Sequence, residues 1–509
     1  MIYLILALVV CTTIYALVQR KFVTHAPLPP GPPGDPIIGH LRLVPSENQE
    51  SLFYKWGKIY GNVIHLRFLQ RDVIVLNSAK AAFDLLDKRS ANYSDRPPFP
   101  IFQLMGWVAT ISFIGYGKRF QRHRRMLHPH LTTKKCDGYT TIQTKEARTL
   151  LKNLVIDEKR RDDFIRRFAT SVILRVTYGQ KVTTDDDPFV KITLEAGHAI
   201  ANGGPPGSTP VDVFPFLKYF PSWFPGCHYA GFARDNRFAI DALINYPFEQ
   251  VTRRMAEGKG TPSFLTSQLE ALHREGADYP NDIDEIKGAA GVMFFGGSDT
   301  TWATLSVFFL AMLLHPEYQR RAQAEIDDVI GSGRLPDFSD RTSLPFVECI
   351  LQETLRWNPV VPLGVAHRSL EDDVYNGMFI PKGSLIIPNT RAMTLDESIY
   401  TEPFKFDPSR YLPKPDGNKE PYPNGPFGFG RRICPGRHLA LNSLWIAIAS
   451  ILAVFDIEKS IGSDGEEVVP VIGFSSGITC HPLPFETSIK PRNEAARQLI
   501  ERDVTEDTY

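Results

Sequence analysis

Ten residues near the C-terminal end restrict what this chain can become more than any other stretch: Phe427-Gly428-Phe429-Gly430-Arg431-Arg432-Ile433-Cys434-Pro435-Gly436. Three glycines, aromatic rings and arginines crowd around a single cysteine, directly before a long apolar run with helical character. Glycine lets backbone pass close to a partner, and nearby cations favour the thiolate over the thiol. The arrangement suits a sulfur held still and dry against something flat. Cys434 is therefore read as the thiolate ligand of a haem iron.

The rest of the chain is large enough to build a core around such a group, with 509 residues of which 43% are hydrophobic. Lys+Arg and Asp+Glu balance at 57 each, so net charge gives no reason to expect nucleic acid as a partner. The six cysteines, at 11, 136, 227, 349, 434 and 480, are scattered without a CxxC pair. That spacing fits neither a disulfide framework nor a zinc site and suits a reducing compartment.

Residues Ile2 to Val18 are apolar and uncharged, and Arg20 and Lys21 follow at once. The run lacks the basic start and small-residue cleavage site of a secretory signal, so residues 1–21 are expected to be a transmembrane anchor. Basic residues on its C-terminal side put the rest of the chain in the cytosol. Residues 22–36, rich in Pro and Gly, read as a stiff hinge, and 37–509 as the globular body.

Within that body a helix, two β-branched runs (Val63–His65 and Val73–Leu76) and a second helix are expected between Ser51 and Lys88. Arg96 to Gly117 is a long apolar loop, unusual unless it lines something. Lys118 to His130 is strongly basic, yet Phe120, Arg124 and Leu127 recur at helical spacing, which turns Arg124 inward. An inward arginine needs an anion. Residues 140–200 read as several helices. Ala201 to Gly226 mixes Gly and Pro with Phe214, Phe216, Tyr219, Phe220, Trp223 and Phe224. Contact with a lipid surface, a substrate gate and plain core packing all remain open for it.

A helix of about thirty residues is expected from Asn281 to Leu314, opened by a capping box of Asp282 and Glu285. Inside it lies Gly296-Gly297-Ser298-Asp299-Thr300-Thr301. Two helical glycines cost about 1 kcal/mol each, so close packing or the approach of a flat ligand is expected there. Glu353 and Arg356 share a helix at i, i+3. Val360–Val365 and Ser384–Pro388 read as strands, and Phe404–Tyr411 adds Arg410.

Taken in order, GGSDTT at 296–301, ETLR at 353–356, PSRY at 408–411 and FGFGRRICPG at 427–436 resemble the cytochrome P450 superfamily of haem-thiolate monooxygenases. The loop agrees at every fixed position of FxxGxRxCxG, and the resemblance spans essentially the whole chain. It implies a mainly α-helical fold with a small β-rich portion, one N-terminal transmembrane helix and haem b.

The roles it implies are specific. Cys434 is the axial ligand, with Pro435 at the first position of the following helix and Phe427, Gly430 and Gly436 shaping the loop so that backbone approaches sulfur and ring. Arg432, Arg124 and His367, or its neighbour Arg368, are the partners of the haem's acid groups. Position 120 usually holds Trp in the family and holds Phe here, which removes one neutral hydrogen bond. Glu353, Arg356 and Arg410 form a buried structural triad. Thr300 and Asp299 are the alcohol–acid pair that handles oxygen and protons; an oxygen-independent isomerase or dehydratase, or a haem sensor, would not need it.

No dinucleotide fingerprint follows a strand, so electrons must come from elsewhere. The resemblance implies an NADPH-dependent P450 reductase, with cytochrome b5 as a second donor, docking on a basic surface around Arg122, Arg125 and Arg431. It also implies the endoplasmic reticulum membrane. Local phrases at 211–226 and 356–368 are similar to mushroom-type fungal members of secondary metabolism. Phe102, Met105, Trp107, Met293, Val361, Leu363 and Ile478 are expected to line a pocket for a lipophilic terpenoid, polyketide or aromatic substrate.

Overall fold

In the computed structural model of the protein, the described residues are 26–184, 186–204, 209–275 and 279–505; the expected anchor at 1–21 lies outside them. Behind helix α1 (Gln49–Tyr60), the two β-branched runs pair as the antiparallel hairpin β1 (Val63–Phe68) and β2 (Arg71–Leu76). Six further helices carry the argument: α2 (Lys118–Leu131), α3 (Thr140–Ile156), α4 (Arg161–Tyr178), α5 (Pro188–Ala201), α6 (Tyr279–Leu314) and α7 (Pro345–Trp357). Short strands follow, namely β3 (His367–Arg368), β4 (Asp373–Tyr375), β5 (Met378–Ile380) and β6 (Leu385–Pro388). The chain closes with helix α8 (Arg437–Val454) and the pair β7 (Phe455–Glu458) and β8 (Ser488–Pro491). The protein is mainly helical with a small β portion.

The β portion is one four-stranded sheet in the order β1-β2-β6-β3 and two separate two-stranded ribbons. β6 runs parallel to β2 with Ile74 opposite Ile386, and β3 runs antiparallel to β6 with His367 opposite the same Ile386. The expected strand at 360–365 does not form. Pro362 and Gly364, the latter at φ 58°, fold this segment into a turn closed by Gly364 N–H on the Val361 carbonyl. The strand instead begins at His367.

Helix α6 has 36 residues, long enough to cross the whole body. Its most extensive packing is against α4, while α8 packs on α3, α6 and α7. Both α6 and α8 are apolar and long enough to span a bilayer, but 78% and 67% of their apolar windows are buried inside the protein, so they are core helices. Gly297 makes the α4 crossing possible, because a Cβ there would lie 2.6 Å from Ile173 Cγ1.

Asp282 and Glu285 do not form the expected capping box. Both lie inside the helix, beyond Tyr279, and both acids are used across the fold. Asp282 pairs with Arg122 at 2.5 Å. Glu285 takes Arg119 at 2.7 Å and the fully buried His123 at 2.6 Å. Cationic partners on α2 therefore outcompete the local cap and clasp α2 to α6. Phe214, Phe216, Tyr219, Phe220 and Trp223 stand out from the surface, with Tyr219 and Trp223 each 80% exposed, so core packing does not account for them, whereas Phe224 packs on a small buried cluster.

Candidate active site

A cavity of about 320 Å³ lies between the cysteine loop and the middle of α6. Phe427, Gly428, Phe429, Cys434, Pro435 and Gly436 line one side, and Met293, Gly296, Gly297 and Thr300 the other. The loop is braced from inside: Cys434 N–H donates to the Phe427 carbonyl at 2.8 Å. From outside, Arg124 on α2 donates to the Ile433 carbonyl at 2.9 Å. Helix α8 starts at Arg437 with Gly436 as its N-cap, so Pro435 stands two positions before the first helical residue, not at it. The backbone N–H groups of Gly436 and Arg437 still face the sulfur. Burial pushes the Cys434 thiol up, while those N–H groups and the charges of Arg124 and Arg437 pull the other way.

Two of the loop glycines have different reasons. Gly430 sits at φ 52°, and a Cβ there would come within 2.2 Å of the Leu86 carbonyl oxygen. Its constraint is the neighbouring segment 83–88, not a ligand. A Cβ on Gly436 would meet Cys434 Sγ at 3.9 Å, so that position does border the sulfur.

Four cationic or imidazole side chains line the cavity, Arg96, Arg124, Arg432 and His367, and no carboxylate lies among its described lining residues. Arg432 donates to the carbonyls of Ser94, Ile111 and Ile114 at 2.7, 3.0 and 2.8 Å. Arg96 donates to Ser112, Val365 and Ala366. Burial lowers Arg432 to about 10 and pushes Arg96 down as well, and each nearby guanidinium adds to the cost of charge. The alternation at β3 is resolved by geometry. His367 Nδ1 reaches the Tyr93 carbonyl at 2.7 Å and the ring borders the cavity, whereas Arg368 turns away to Asp95 at 2.5 Å.

Phe120 lies beneath this edge, with the Arg432 guanidinium 3.8 Å above its ring. The ring offers its face to a cation in place of an indole hydrogen bond. Arg96 escaped sequence reasoning, although the signal existed: it is an arginine in an apolar loop, the same contradiction that drew notice to Arg124.

On the opposite wall, a Cβ on Gly296 would meet nothing within 4 Å, so that glycine opens to the cavity while its neighbour packs on α4. The Thr300 hydroxyl also borders the cavity and donates to the Gly296 carbonyl at 2.6 Å. Asp299 turns aside. It is 6% exposed, and its Oδ1 lies 3.2 Å from His481 Nε2. Of the expected substrate-pocket residues, Met293 and Val361 line this cavity. Phe102, Met105 and Trp107 do not; they are core residues, with Phe102 stacked on Phe113 at 4.4 Å. Leu363 and Ile478 pack on the core as partly buried side chains.

Behind the loop, Glu353 receives Arg356 through two contacts of 2.7 Å and Arg410 at 3.1 Å. Tyr411 O–H and the Asp407 N–H also donate to it. Glu420 extends the group by pairing with Arg410 at 2.7 Å, a member that sequence did not suggest. Glu353, Arg356 and Arg410 are at most 2% exposed.

The donor set suits a flat metal macrocycle: one sulfur under a protected loop, an edge of cations without acids, and a glycine-bared helix opposite. Comparison with known proteins agrees. A family model described as Cytochrome P450 matches residues 29–488. Cytochrome P450 monooxygenase 136 of Postia placenta is 40% identical over 491 residues, covering 95% of this chain and 92% of its own. Cytochrome P450 monooxygenase claR of Ampulloclitocybe clavipes is 39% identical, covering 96% and 90%. Tryptamine 4-monooxygenase of Psilocybe cyanescens is 36% identical, covering 97% and 98%.

Proposed function

This chain belongs to the cytochrome P450 family of haem-thiolate monooxygenases, and from that premise we propose that it is a membrane-anchored fungal enzyme that oxidises a neutral lipophilic metabolite. The observation that carries the reading is the pairing of the Cys434 loop with the Gly296–Thr300 wall across one cavity. Cys434 would hold the iron, and Arg96, Arg124, Arg432 and His367 would hold the acid groups at the edge of the ring. Haem bound there supplies activation of molecular oxygen and insertion of one of its atoms into the substrate.

The protein's own residues do the rest. The Cys434 thiolate would donate electron density to the iron it holds. The Thr300 hydroxyl, which borders the cavity while donating to the Gly296 carbonyl, would pass a proton there, with the buried Asp299 carboxyl next in sequence as the acid of the pair. Val172, Ile173, Val292, Met293 and Val361 make the apolar part of the wall and exclude water. The cavity's described lining carries no acid, so a cationic amine would find no counter-ion there and a neutral terpenoid, polyketide or aromatic fits better.

Electrons would come from an NADPH-dependent P450 reductase, with cytochrome b5 as a second donor. Exposed Arg125 and Arg431 are the docking cations this reading uses, while Arg122 shares its charge with Asp282. The anchor at 1–21 and the exposed Phe216, Tyr219 and Trp223 support attachment to the endoplasmic reticulum membrane, with the catalytic body in the cytosol.

The reading is tested by incubating the enzyme with reductase, NADPH and a panel of terpenoids, polyketides and aromatics. The expected result is a product heavier by one oxygen by mass spectrometry; NADPH-independent isomerisation or dehydration instead would overturn it. Thr300→Ala is expected to keep the reduced, carbon-monoxide-bound spectrum while product formed per NADPH falls by about a hundredfold, the lower end of what a proton-transfer group contributes. Full coupling in that variant would remove Thr300 from the proton path.

A further inference from the structure

Four consecutive residues, Tyr93-Ser94-Asp95-Arg96, each hold a different part of the cavity's cationic edge. The Tyr93 carbonyl takes His367 Nδ1 at 2.7 Å, and the Ser94 carbonyl takes Arg432 Nε at 2.7 Å. Arg96 donates to the carbonyls of Ser112, Val365 and Ala366. Asp95 is the only acid of the four and is 3% exposed. Its Oδ2 receives Arg368 Nε at 2.7 Å and Nη2 at 2.5 Å, and its Oδ1 receives the Tyr116 N–H at 2.7 Å. Its carbonyl also receives the Arg368 N–H at 3.0 Å, so side chain and main chain both grip β3.

The bond to Tyr116 fixes the end of a stretch that matters to the edge. Within it, the Ile111 and Ile114 carbonyls carry Arg432, and the Ser112 carbonyl carries Arg96. Gly115 permits the approach, because a Cβ there would stand only 3.1 Å from Asp95 Oδ1. Among the described residues, Arg432 and Arg96 give their hydrogen bonds to main-chain carbonyls and to no carboxylate. Burial lowers both guanidiniums, and the charge of Asp95 acts against it at each. The Asp95 side chain is 4% exposed and that of Arg368 38%, so their pair is a dipole with its negative end buried and its positive end toward solvent.

We propose that Asp95 is a positioning residue for the haem's acid edge, acting through Arg432, Arg96 and His367. It pins residues 93–96 between β3 and the 110–116 stretch, and it supplies a fixed negative charge behind the guanidiniums. Three guanidiniums and an imidazole that converge on one edge repel one another. A carboxylate behind them offsets part of that repulsion and leaves their remaining N–H groups to the ligand. The inference rests on the reading of the cavity as a haem site, and the test separates the two.

Asp95→Asn keeps the size of the side chain and an oxygen for the Tyr116 N–H but removes the charge. Arg368→Gln removes the partner and leaves the Asp95 charge in place. The reduced, carbon-monoxide-bound spectrum of wild type comes first: without a thiolate band the haem-thiolate reading itself fails, and the proposal with it. With the band present, two readouts address Asp95 alone. In transfer of haem to excess apomyoglobin, Asp95→Asn is expected to release haem about tenfold faster, the lower end of what an outer partner of a metal site contributes. Release at the wild-type rate would overturn the positioning role. In a redox titration, loss of a buried negative charge favours the reduced iron. At one applied potential the ratio of reduced to oxidised haem is expected to rise about threefold in Asp95→Asn, which is about 28 mV at about 59 mV per tenfold. Arg368→Gln is expected to move the ratio the other way, and by less, because water and salt screen its charge. Unchanged potentials, or shifts of one sign in both variants, would leave Asp95 a packing residue and overturn the proposal. If Asp95→Asn takes up no haem, Arg368→Gln decides: a lowered ratio supports the proposal, and an unchanged or raised one overturns it.

Discussion

Replacing Cys434 by serine removes the thiolate band from the reduced, carbon-monoxide-bound spectrum and lowers product formation by more than about a hundredfold, the most that changes around a metal ligand usually cost. The fold should survive, because Cys434 lies in the loop that lines the cavity and is not part of the packed core clusters. Circular dichroism and a denaturation midpoint close to wild type are the checks. The prediction is sharp because the other described cysteines are poor substitutes. Burial raises Cys136 to about 11 and Cys349 and Cys480 to about 12, and none of these borders the cavity. Cys434 alone among them is faced by two arginine charges, in addition to the N–H groups of Gly436 and Arg437. A thiolate spectrum that persists in Cys434→Ser would move the ligand elsewhere and undo the proposed site.

Glu353→Ala lowers stability by about 3–5 kcal/mol, the cost of breaking a buried charge pair. The carboxylate takes hydrogen bonds from Arg356, Arg410, Tyr411 and the Asp407 backbone. Without it, Arg356 is left with carbonyl partners only, at Thr394, Pro403 and Lys405, inside the protein. Such a loss is a large part of the 5–15 kcal/mol that holds an ordinary domain together. The measurement is the urea midpoint of the haem-bound protein, with Arg410→Leu as a comparison in which Glu353 keeps Arg356 and Tyr411 while Glu420 loses its cation. A Glu353→Ala protein with an unchanged midpoint and reduced turnover would instead assign the residue a catalytic role.

Much of the fold is legible from local pattern. The hairpin at 63–76 is rich in β-branched residues, and α6 has long apolar runs on either side of its Gly296–Thr301 stretch, so each declares itself over consecutive residues. The turn at 360–365 was misread as strand because its valines outweighed Pro362 and Gly364 in a short window. The expected capping box failed for a different reason. Asp282 and Glu285 answer to arginines and a histidine on α2, roughly 160 positions away, and no local rule contains those partners. Distance in sequence also hid His481 and Glu420, each visible only once the chain had folded against Asp299 or Arg410. The cysteine loop was readable because every residue that shapes it is adjacent.

Gly296 and Gly297 stand side by side, yet a methyl group at 296 would project into open space and one at 297 would press into Ile173. A single step along the helix therefore separates a position where a side chain would enter the cavity from one where it would disturb the crossing with α4. Substitution at 296 changes first what the cavity can hold, and substitution at 297, although it too borders the cavity, changes first how α6 and α4 pack.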